Sequence, residues 1–330
     1  MNENKFAFIT CVNNKNQYEE SVHYINNLTI PEGYEIDIIS VEETNNIFEG
    51  YNEAMNSTDA KYKIYINENI LIVNKNFLLD ILYIFKRNEE VGMIGIMGSE
   101  EIMPSGEFTN CYGKIYEAYD EGIFKKESLN VNSRYKEVKV INESIIITQY
   151  DLPWRKDIFS GDDLYGAVQS IEFILKGYRV VVPNQYDPWC VHINENSEEN
   201  NKSLNRDLFI KEYGKRIFPL VSILIPTYNR PEYFKEALES AINQTYPNIE
   251  IIIGDDSTNN LTEQLIESYL QKYDFIKYIK NDKNIGQFEN DKKLLSLAKG
   301  EYINYLMDDD LFSENKIEKM MELFLQDKNK

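Results

Sequence analysis

Cysteine is scarce in this 330-residue sequence, and its spacing restricts what it can do. Cys11, Cys111 and Cys190 are far apart and form no CxxC pair, which argues against a disulfide framework and against a cysteine metal site. Each lies in or beside an apolar run, a position typical of a small core residue in a reducing compartment. The cysteines therefore predict a cytoplasmic protein.

Positive charge and long apolar runs are also lacking. Lys and Arg total 35 against 55 Asp and Glu, and the resulting formal net charge of −20 disfavours nucleic acid and anionic membranes as partners. No stretch approaches eighteen consecutive apolar residues, and the N-terminus has no small-residue cleavage site. We therefore expect a soluble protein with no transmembrane segment, no secretion signal and no nucleic-acid partner.

The sequence contains neither GxxxxGK[ST] nor a strand-linked GxGxxG, the glycine-rich loops that hold nucleotide phosphates in many proteins. A phosphate ligand would therefore have to be held through a metal ion. The chain is rich in apolar residues, since 42% of the sequence is hydrophobic and 13% is aromatic. At this length, that composition is sufficient for two packed cores.

A pattern of strand, helix and strand occurs twice. FAFITCVNN begins the first copy and VSILIPTYNR begins the second, and each is followed by helical periodicity and another apolar strand. Between them, the polar segment Glu195–Asp207 is typical of a surface linker. The pattern predicts an α/β protein of two units, residues 1–217 and 218–330, each with a mostly parallel, doubly wound sheet.

Two strand ends share one design but differ in charge. KYKIYINENILIVNKNF is interrupted by the triplet Asn67–Asn69, and EYINYLMDDDLF carries the triplet Asp308–Asp310 in the same place. Asp255 and Asp256 end a further apolar strand. One such pair could be solvated loop carboxylates, but two acidic clusters at strand ends favour a bound divalent cation or the hydroxyls of a ligand, because unpaired neighbouring carboxylates repel.

From Pro219 onward, the segments VSILIPTYNRPEYFKEALESAINQTYPNIEIIIGDDST, NDKNIG and AKGEYINYLMDDDLF resemble the nucleotide-binding half of a family-2 glycosyltransferase of GT-A fold. The resemblance implies nucleotide-sugar binding by Thr227, Tyr228, Asp255, Asp256 and Asp308. It also implies that Asp309 or Asp310 is the direct metal ligand. The family's acceptor-binding half and catalytic carboxylate have no counterpart here, so we expect the second unit to be incomplete.

From about Phe6 to Tyr213, the segments GYNEAMNSTDAKYKIYINENI and DLPWRKDIFSGDDLYGAVQSIEFILKGYRVVVPNQYDPWCVH resemble the glycosyltransferase-like domain named for streptomycin biosynthesis. The first unit is thus expected to be a complete GT-A-like, Rossmann-like domain. In GT-A enzymes, an acidic pair that opens a helix supplies the catalytic base. That pattern points to Asp163, with Asp162 as the second choice.

The same resemblance implies a metal site in the first unit, formed by His192 with Asn69 and Glu68. An indifferent surface or core histidine is an equally good interpretation of His192. The chain also departs from the family pattern, because four positions that carry ionisable residues in members of the family are non-ionisable here. These positions are Asn67, Asn69, Gly166 and Ile193.

Together the resemblances imply a hexosyltransferase-like enzyme that moves a sugar from a nucleotide-sugar donor, with a UDP-sugar preferred, to a hydroxyl of a glycan or protein. The expected chemistry is a single inverting displacement assisted by Mn²⁺ or Mg²⁺, in cell-surface or protein glycan synthesis. Two accounts of the first unit stay open, a working transferase with a weakened metal motif or a degenerate copy that binds a sugar or a partner. A non-catalytic scaffold built on degenerate transferase domains is the alternative function.

Overall fold

The computed structural model describes residues 1–42, 44, 46–194 and 204–327. The chain divides into two compact units. The first consists of Met1–Ile102 and Gly106–Leu208, and the second of Met103–Ser105 and Phe209–Lys330. Most of the predicted linker Glu195–Asp207 lies outside the described residues, but its last four residues already belong to a helix.

The first unit alternates strands and helices at its start and becomes rich in strands after its third helix. In chain order its elements are β1 (Asn2–Val12), α1 (Lys15–Asn26), β2 (Glu35–Glu42), α2 (Ile47–Ser57), β3 (Ala60–Ile66), β4 (Ile70–Ile72), α3 (Phe77–Phe85), β5 (Val91–Gly95), β6 (Met97–Ile102), β7 (Phe108–Tyr119), β8 (Gly122–Glu127), β9 (Tyr135–Val138), β10 (Val140–Ile141), β11 (Ile145–Thr148), α4 (Tyr165–Leu175), β12 (Arg179–Pro183) and β13 (Cys190–Ile193).

Two sheets organise the first unit. The main sheet has the strand order β2-β1-β3-β11-β5-β12-β9, and a second sheet has the order β10-β6-β7-β13-β4, with β8 paired to β7. Apolar side chains of β1 and β3, including Phe6, Phe8, Ile64 and Ile66, are fully buried in the core. This continuous burial explains why the central strands are nearly unbroken apolar runs.

The prediction of a mostly parallel sheet is wrong for the first unit. Strand β1 pairs in parallel with β2 and β3, and β5 pairs in parallel with β12, but β11 is antiparallel to both β3 and β5. A parallel neighbour needs a crossover of about a dozen residues, usually a helix. The chain from β5 to β11 contains only strands and short connections, so β11 enters the sheet in the opposite direction.

The second unit has the predicted parallel α/β arrangement. Its elements are β14 (Val221–Thr227), α6 (Pro231–Ile242), β15 (Ile249–Asp255), α7 (Leu261–Lys272), β16 (Ile276–Lys280), α8 (Gln287–Leu297), β17 (Tyr302–Tyr305) and α9 (Lys316–Asp327), preceded by α5 (Leu204–Ile217), within which the division between the units falls. The sheet order is β16-β15-β14-β17, and all three pairings are parallel. The carboxyl ends of these strands therefore meet at one edge.

Two helices of the second unit begin in different ways. Pro231 occupies the first turn of α6, a position that its fixed φ suits. Asn260 is the N-cap residue of α7, but its side chain makes no capping hydrogen bond. The neighbouring Asn259 accepts a hydrogen bond from the Leu261 N–H through Oδ1 instead (3.0 Å).

Candidate functional site

A cavity of about 440 Å³ lies at the carboxyl edge of the second unit's sheet, and we call it the second-unit cavity. Thr227 at the end of β14, Asp256 just after β15, and Asp308 and Asp309 after β17 all line it, together with Tyr228. Five residues that were predicted from separate parts of the sequence are therefore brought together. The parallel order of the strands is the cause, because it places each following loop at the same edge.

Asp308 is the most firmly held of the acidic residues in this cavity. Its Oδ2 accepts hydrogen bonds from the Thr227 hydroxyl (2.9 Å) and from the Tyr228 N–H (3.3 Å). Its Oδ1 lies 3.6 Å from Nη1 of Arg230. The side chain is 11% exposed. One of its oxygens is held by Thr227 and Tyr228, and the other faces the guanidinium group of Arg230.

Asp309 and Asp310 differ in position. Asp309 accepts a hydrogen bond from Arg230 Nη1 through Oδ2 (2.9 Å) and lines the cavity. Asp310 is exposed, and its backbone N–H donates to Met307 O (3.1 Å), which closes a turn after the cavity. Of the two residues that the sequence offered as the direct metal ligand, the geometry favours Asp309.

Asp256 organises the wall of the second-unit cavity. Its carboxylate accepts hydrogen bonds from Asn281 Nδ2 (3.0 Å), from Ile285 N (2.8 Å) and from Gly286 N (2.9 Å). Gly286 and Asn284 also line the cavity. The resemblance implies that Asp256 contacts the ligand. In the structure its carboxylate also holds the backbone of Ile285 and Gly286 in place.

Asp255, also assigned to nucleotide-sugar binding, is fully buried and bonded within the sheet. Ser257 N (2.9 Å) and the Tyr278 hydroxyl (2.6 Å) donate to its carboxylate, and Lys280 Nζ lies 3.5 Å away. Burial, followed by the hydrogen bond to Asp255, raises the pKa of Tyr278. These contacts give Asp255 a structural role in joining β15 to β16.

A cavity of about 390 Å³ in the first unit, the first-unit cavity, is lined by Asn67, Glu68, Asn69 and Asp162, together with Tyr165. An extended chain would present the three side chains of this triplet on alternate sides. Instead it forms a turn, closed by a hydrogen bond from Ile70 N to the carbonyl oxygen of Asn67 (3.1 Å), and all three side chains line the cavity.

Protein groups already bind two members of this triplet. Asn67 Oδ1 accepts a hydrogen bond from the Tyr165 hydroxyl (2.7 Å). Glu68 Oε2 accepts from the backbone N–H groups of Asn13 (2.6 Å) and Asn14 (2.9 Å), just before α1. The only carboxylate of the triplet is therefore engaged by the backbone.

Asn69 and His192 are in contact, as the sequence predicted for a shared site. Asn69 Nδ2 lies 3.0 Å from His192 Nε2 and donates to Ile193 O (3.3 Å). Among the described residues, the buried Oδ1 of Asn69 has no hydrogen-bond partner. Burial lowers the pKa of His192, which favours the neutral ring. Metal binding by Glu68, Asn69 and His192 stays a prediction.

Asp162 and Asp163, the acidic pair just before α4, have different surroundings. Asp162 lines the first-unit cavity, whereas the Asp163 carboxylate accepts a hydrogen bond from the side-chain amide of Asn205. Burial raises the pKa of Asp163, and the bond from Asn205 opposes that shift. Asp162, the second choice from sequence, is thus the member that faces the cavity.

Sequence reasoning missed Glu143 in the first unit and Arg230 in the second. Burial raises the pKa of Glu143 to about 7, and the charge of Asp163 adds to that shift. No local pattern marks Glu143, a single acidic residue between β10 and β11. Arg230 was visible in the TYNR segment, but its ion pairs to Asp308 and Asp309 depend on tertiary structure.

Two features are absent from the part of the chain that the structure describes. Within residues 1–42, 44, 46–194 and 204–327, no helix is long and apolar enough to cross a membrane. Across the same residues, no group of three or more His, Cys, Asp or Glu side chains is arranged to hold a metal ion.

Family comparisons match both units. The profile described as "Glycosyltransferase like family" matches residues 7–213, and that described as "Glycosyl transferase family 2" matches residues 222–330. The two matches cover separate parts of the chain. The resemblance of each unit to a glycosyltransferase is confirmed.

Curated relatives match over about a third of the chain. "Uncharacterized glycosyltransferase MJ1057" of Methanocaldococcus jannaschii is 41% identical over 111 residues, which are 33% of this chain and 38% of the relative. "Putative teichuronic acid biosynthesis glycosyltransferase TuaG" of Bacillus subtilis is 31% identical over 108 residues, which are 33% of this chain and 43% of the relative. The chain thus spans less than half the length of these relatives.

Solved structures show weaker likeness. TarS 1–349 of S. aureus in complex with UDP-GlcNAc is 27% identical, with 32% of this chain and 31% of that chain covered and a TM-score of 0.30. The mannosyltransferase PcManGT from Pyrobaculum calidifontis, in complex with GDP-Man and Mn²⁺, is 20% identical, with 33% of each chain covered and a TM-score of 0.30. These scores support no statement about the ligands of this chain.

Proposed function

This chain belongs to the glycosyltransferase-like family, and we propose that its second unit binds a nucleotide-sugar donor for transfer of the sugar to a hydroxyl acceptor. One observation carries the proposal. Thr227, Asp256 and Asp308, which follow or end three parallel strands, line one cavity, and Thr227 holds Asp308 by a hydrogen bond. A ligand at the carboxyl edge of a parallel sheet is the usual placement in such folds.

Individual side chains suit individual parts of such a donor. The ring of Tyr228 lines the cavity and is 46% exposed, so it can stack on a nucleobase. Arg230 is the cation beside the carboxylates and can pair with a diphosphate. We take a UDP-sugar as the first donor class to test, on the resemblance of the TYN, DDS and DDD segments.

The second-unit cavity fits a divalent cation in its donor set. Asp308 Oδ1 and Asp309 Oδ2 both lie within 4 Å of one positively charged nitrogen, Arg230 Nη1, so they can face a common cation. Two carboxylates that are completed by ligand phosphates form the donor set that Mg²⁺ commonly uses. When bound there, Mn²⁺ or Mg²⁺ would offset the charge that develops on the departing nucleoside diphosphate.

For the account in which the first unit is itself a working transferase, we propose Asp162, which lines the first-unit cavity, as its general base. Its role would be to take the proton from an acceptor hydroxyl, as an inverting displacement requires. Asp163, held by Asn205, would position the turn at the start of α4. We propose a hydroxyl of a cell-surface glycan or of a protein as the acceptor. The name of the relative TuaG refers to teichuronic acid biosynthesis, which supports a glycan acceptor.

A second candidate is favoured by the first-unit cavity itself. Asn67 Oδ1 and Glu68 Oε2 accept hydrogen bonds from protein donors, and position 69 is an amide rather than a carboxylate. A degenerate first unit that binds a sugar or a partner without catalysis accounts for this geometry. The two functions differ in whether the chain turns over a donor.

The test is a screen of nucleotide-sugar hydrolysis and transfer by the full chain, with and without Mn²⁺. We expect turnover of a UDP-sugar that Asp308→Asn reduces if the second unit holds the reacting donor, or that Asp162→Asn lowers by about 100- to 10,000-fold if the first unit is the working transferase. The exposed Glu121→Gln is the matched control and should leave turnover unchanged. Absence of turnover with every donor would support the binding-only alternative instead.

A further inference from the structure

Arg230 occupies a position that the surrounding backbone defines closely. Asn229, which precedes it, has a left-handed φ of 53°, and Pro231, which follows it, is the first residue of α6. Arg230 is the N-cap residue of α6, with φ −133° and ψ 57°, which lies outside the α-helical region that a following proline disfavours. Its backbone is therefore placed between a left-handed residue and the start of a helix.

Asn229 is itself anchored to the loop that follows β15. Its N–H donates to Ser257 Oγ (2.8 Å), and its Oδ1 accepts from Thr258 N (3.1 Å) and Asn259 Nδ2 (2.9 Å). This anchoring ties the start of α6 to the loop that carries Asp256. Arg230 is thus held at the cavity by more than its own ion pairs.

The guanidinium group of Arg230 approaches the two oxygens that we assigned to a cation. Its Nη1 lies 2.9 Å from Asp309 Oδ2 and 3.6 Å from Asp308 Oδ1. A divalent ion that binds the same oxygens would stand within a few ångströms of this charge, where like charges repel. It would also compete for the same lone pairs. The two cations would therefore compete for these oxygens.

We propose that Arg230 is an internal cation that competes with a divalent metal ion for Asp308 and Asp309. The proposal rests on the nucleotide-binding role that we propose for this cavity. In the empty cavity Arg230 neutralises the carboxylates and keeps metal affinity low. A diphosphate draws the guanidinium away, because it offers bidentate anionic oxygens, and at the same time supplies oxygens to the metal.

The decisive measurement is Mn²⁺ affinity of the full chain without nucleotide, followed by electron paramagnetic resonance of free Mn²⁺ at 0.15 M salt. Arg230 and Asp309 are each 53% exposed, so their pair is of the modest, exposed kind. We therefore expect Arg230→Gln to bind Mn²⁺ about two- to fivefold more tightly than the wild type. Adding Asp309→Asn to that variant should remove the gain.

Lys235→Gln is the matched control, because it removes one positive charge from the helix that begins just after Arg230. Lys235 is 52% exposed and lies 4.0 Å from Glu239. Its loss should change Mn²⁺ affinity less than twofold, whereas Arg230→Lys, which keeps the charge, should stay near the wild type. Equal affinities in wild type and Arg230→Gln, an equal gain in Lys235→Gln, or no Mn²⁺ binding in any variant would overturn the proposal.

Failure of the proposed nucleotide binding can be recognised separately. UDP is titrated into the wild type and into Asp308→Asn in the presence of Mn²⁺. If the wild type binds no UDP but Arg230→Gln still tightens Mn²⁺, the competition stands and the nucleotide role fails. If UDP binds and Arg230→Gln has the Mn²⁺ affinity of the wild type, the nucleotide role stands and the competition fails.

Discussion

At the scale of single residues, the two cavities differ in side-chain chemistry. The first unit has amides in its triplet where the second unit has carboxylates. Asn69 in the first unit presents Nδ2 to His192 and leaves a buried Oδ1 without a partner among the described residues. Asp308, in the corresponding triplet of the second unit, presents one oxygen to donors of β14 and another to a cation. A carboxylate can bind donors and a cation simultaneously, whereas an amide has only one oxygen to offer.

Glu143 gives a pH dependence that can be measured at a single residue. The folded state raises its pKa from the ordinary 4.5 to about 7, so between those values the folded chain holds a proton that the unfolded chain has released. Stability must therefore fall as the pH rises from about 4.5 to about 7. Since one pKa unit corresponds to about 1.4 kcal/mol, we expect a loss of about 1–3 kcal/mol across this window.

The experiment compares urea unfolding of the wild type and Glu143→Gln at pH 5 and pH 7.5. The neutral glutamine cannot release a proton, so the variant should lose less stability over this range. Glu121→Gln, at an exposed turn between β7 and β8, is the matched control and should follow the wild type. Identical pH profiles for wild type and Glu143→Gln would show that Glu143 titrates normally.

At the scale of elements, a buried ion pair links β3 to the segment after β11. Lys63 is fully buried in β3, and its Nζ lies 2.8 Å from Asp151 Oδ1 and donates to Ala60 O (2.7 Å). Removing one partner leaves an uncompensated charge in the core. Because Asp151 keeps 28% exposure, we expect Asp151→Ala to destabilise the chain by about 2–4 kcal/mol, below the upper range for fully buried pairs.

Denaturant unfolding with two further variants tests this expectation. Asp157→Ala removes a carboxylate that is 62% exposed in its pair with Arg155, and it should cost less than about 1 kcal/mol. Combining Asp151→Ala with Lys63→Met removes both charges and should recover part of the lost stability. Equal effects of Asp151→Ala and Asp157→Ala would mean that water reaches Lys63.

Elements that depend on a local sequence pattern could be predicted, whereas elements that depend on tertiary structure could not. β14 and β15 could be predicted with their polar ends, because a buried parallel strand is a short apolar run and its ligand edge follows from topology. The antiparallel insertion of β11 could not be predicted, since an apolar run does not encode strand direction. The turn at Asn67–Asn69 does not follow from periodicity either, because alternation assumes an extended backbone.

The candidate sites followed the same rule. Residues next to a strand end, such as Thr227 and Asp308, line a cavity, and their binding role stays a prediction. The sequence alone could not distinguish the buried Asp255, which accepts from Tyr278, from Asp256, which lines the cavity, because these contacts depend on tertiary structure. Asp163 likewise turns to Asn205, which lies 42 residues away in sequence.

For the whole molecule, two related cavities in one chain raise the question of how many nucleotides bind. The second-unit cavity offers Asp308 and Asp309 to a cation, whereas the only carboxylate of the Asn67–Asn69 triplet is engaged by backbone N–H groups. With a net charge of −20, the chain repels a free diphosphate unless a local cation offsets it. We therefore predict that one UDP binds per chain in the presence of Mn²⁺.

Titration calorimetry of the full chain measures this stoichiometry directly. Asp308→Asn should weaken binding by about tenfold or more, since hydrogen bonds to a charged group contribute about 1.5–3 kcal/mol. Asp162→Asn, which alters the first-unit cavity, should leave both stoichiometry and affinity within twofold of the wild type. Two equivalents of UDP in the wild type, with one retained in Asp308→Asn, would instead mean that the first unit holds a nucleotide through neutral amides. In that case Asn67 and Asn69 take the role that Asp308 and Asp309 have in the second unit.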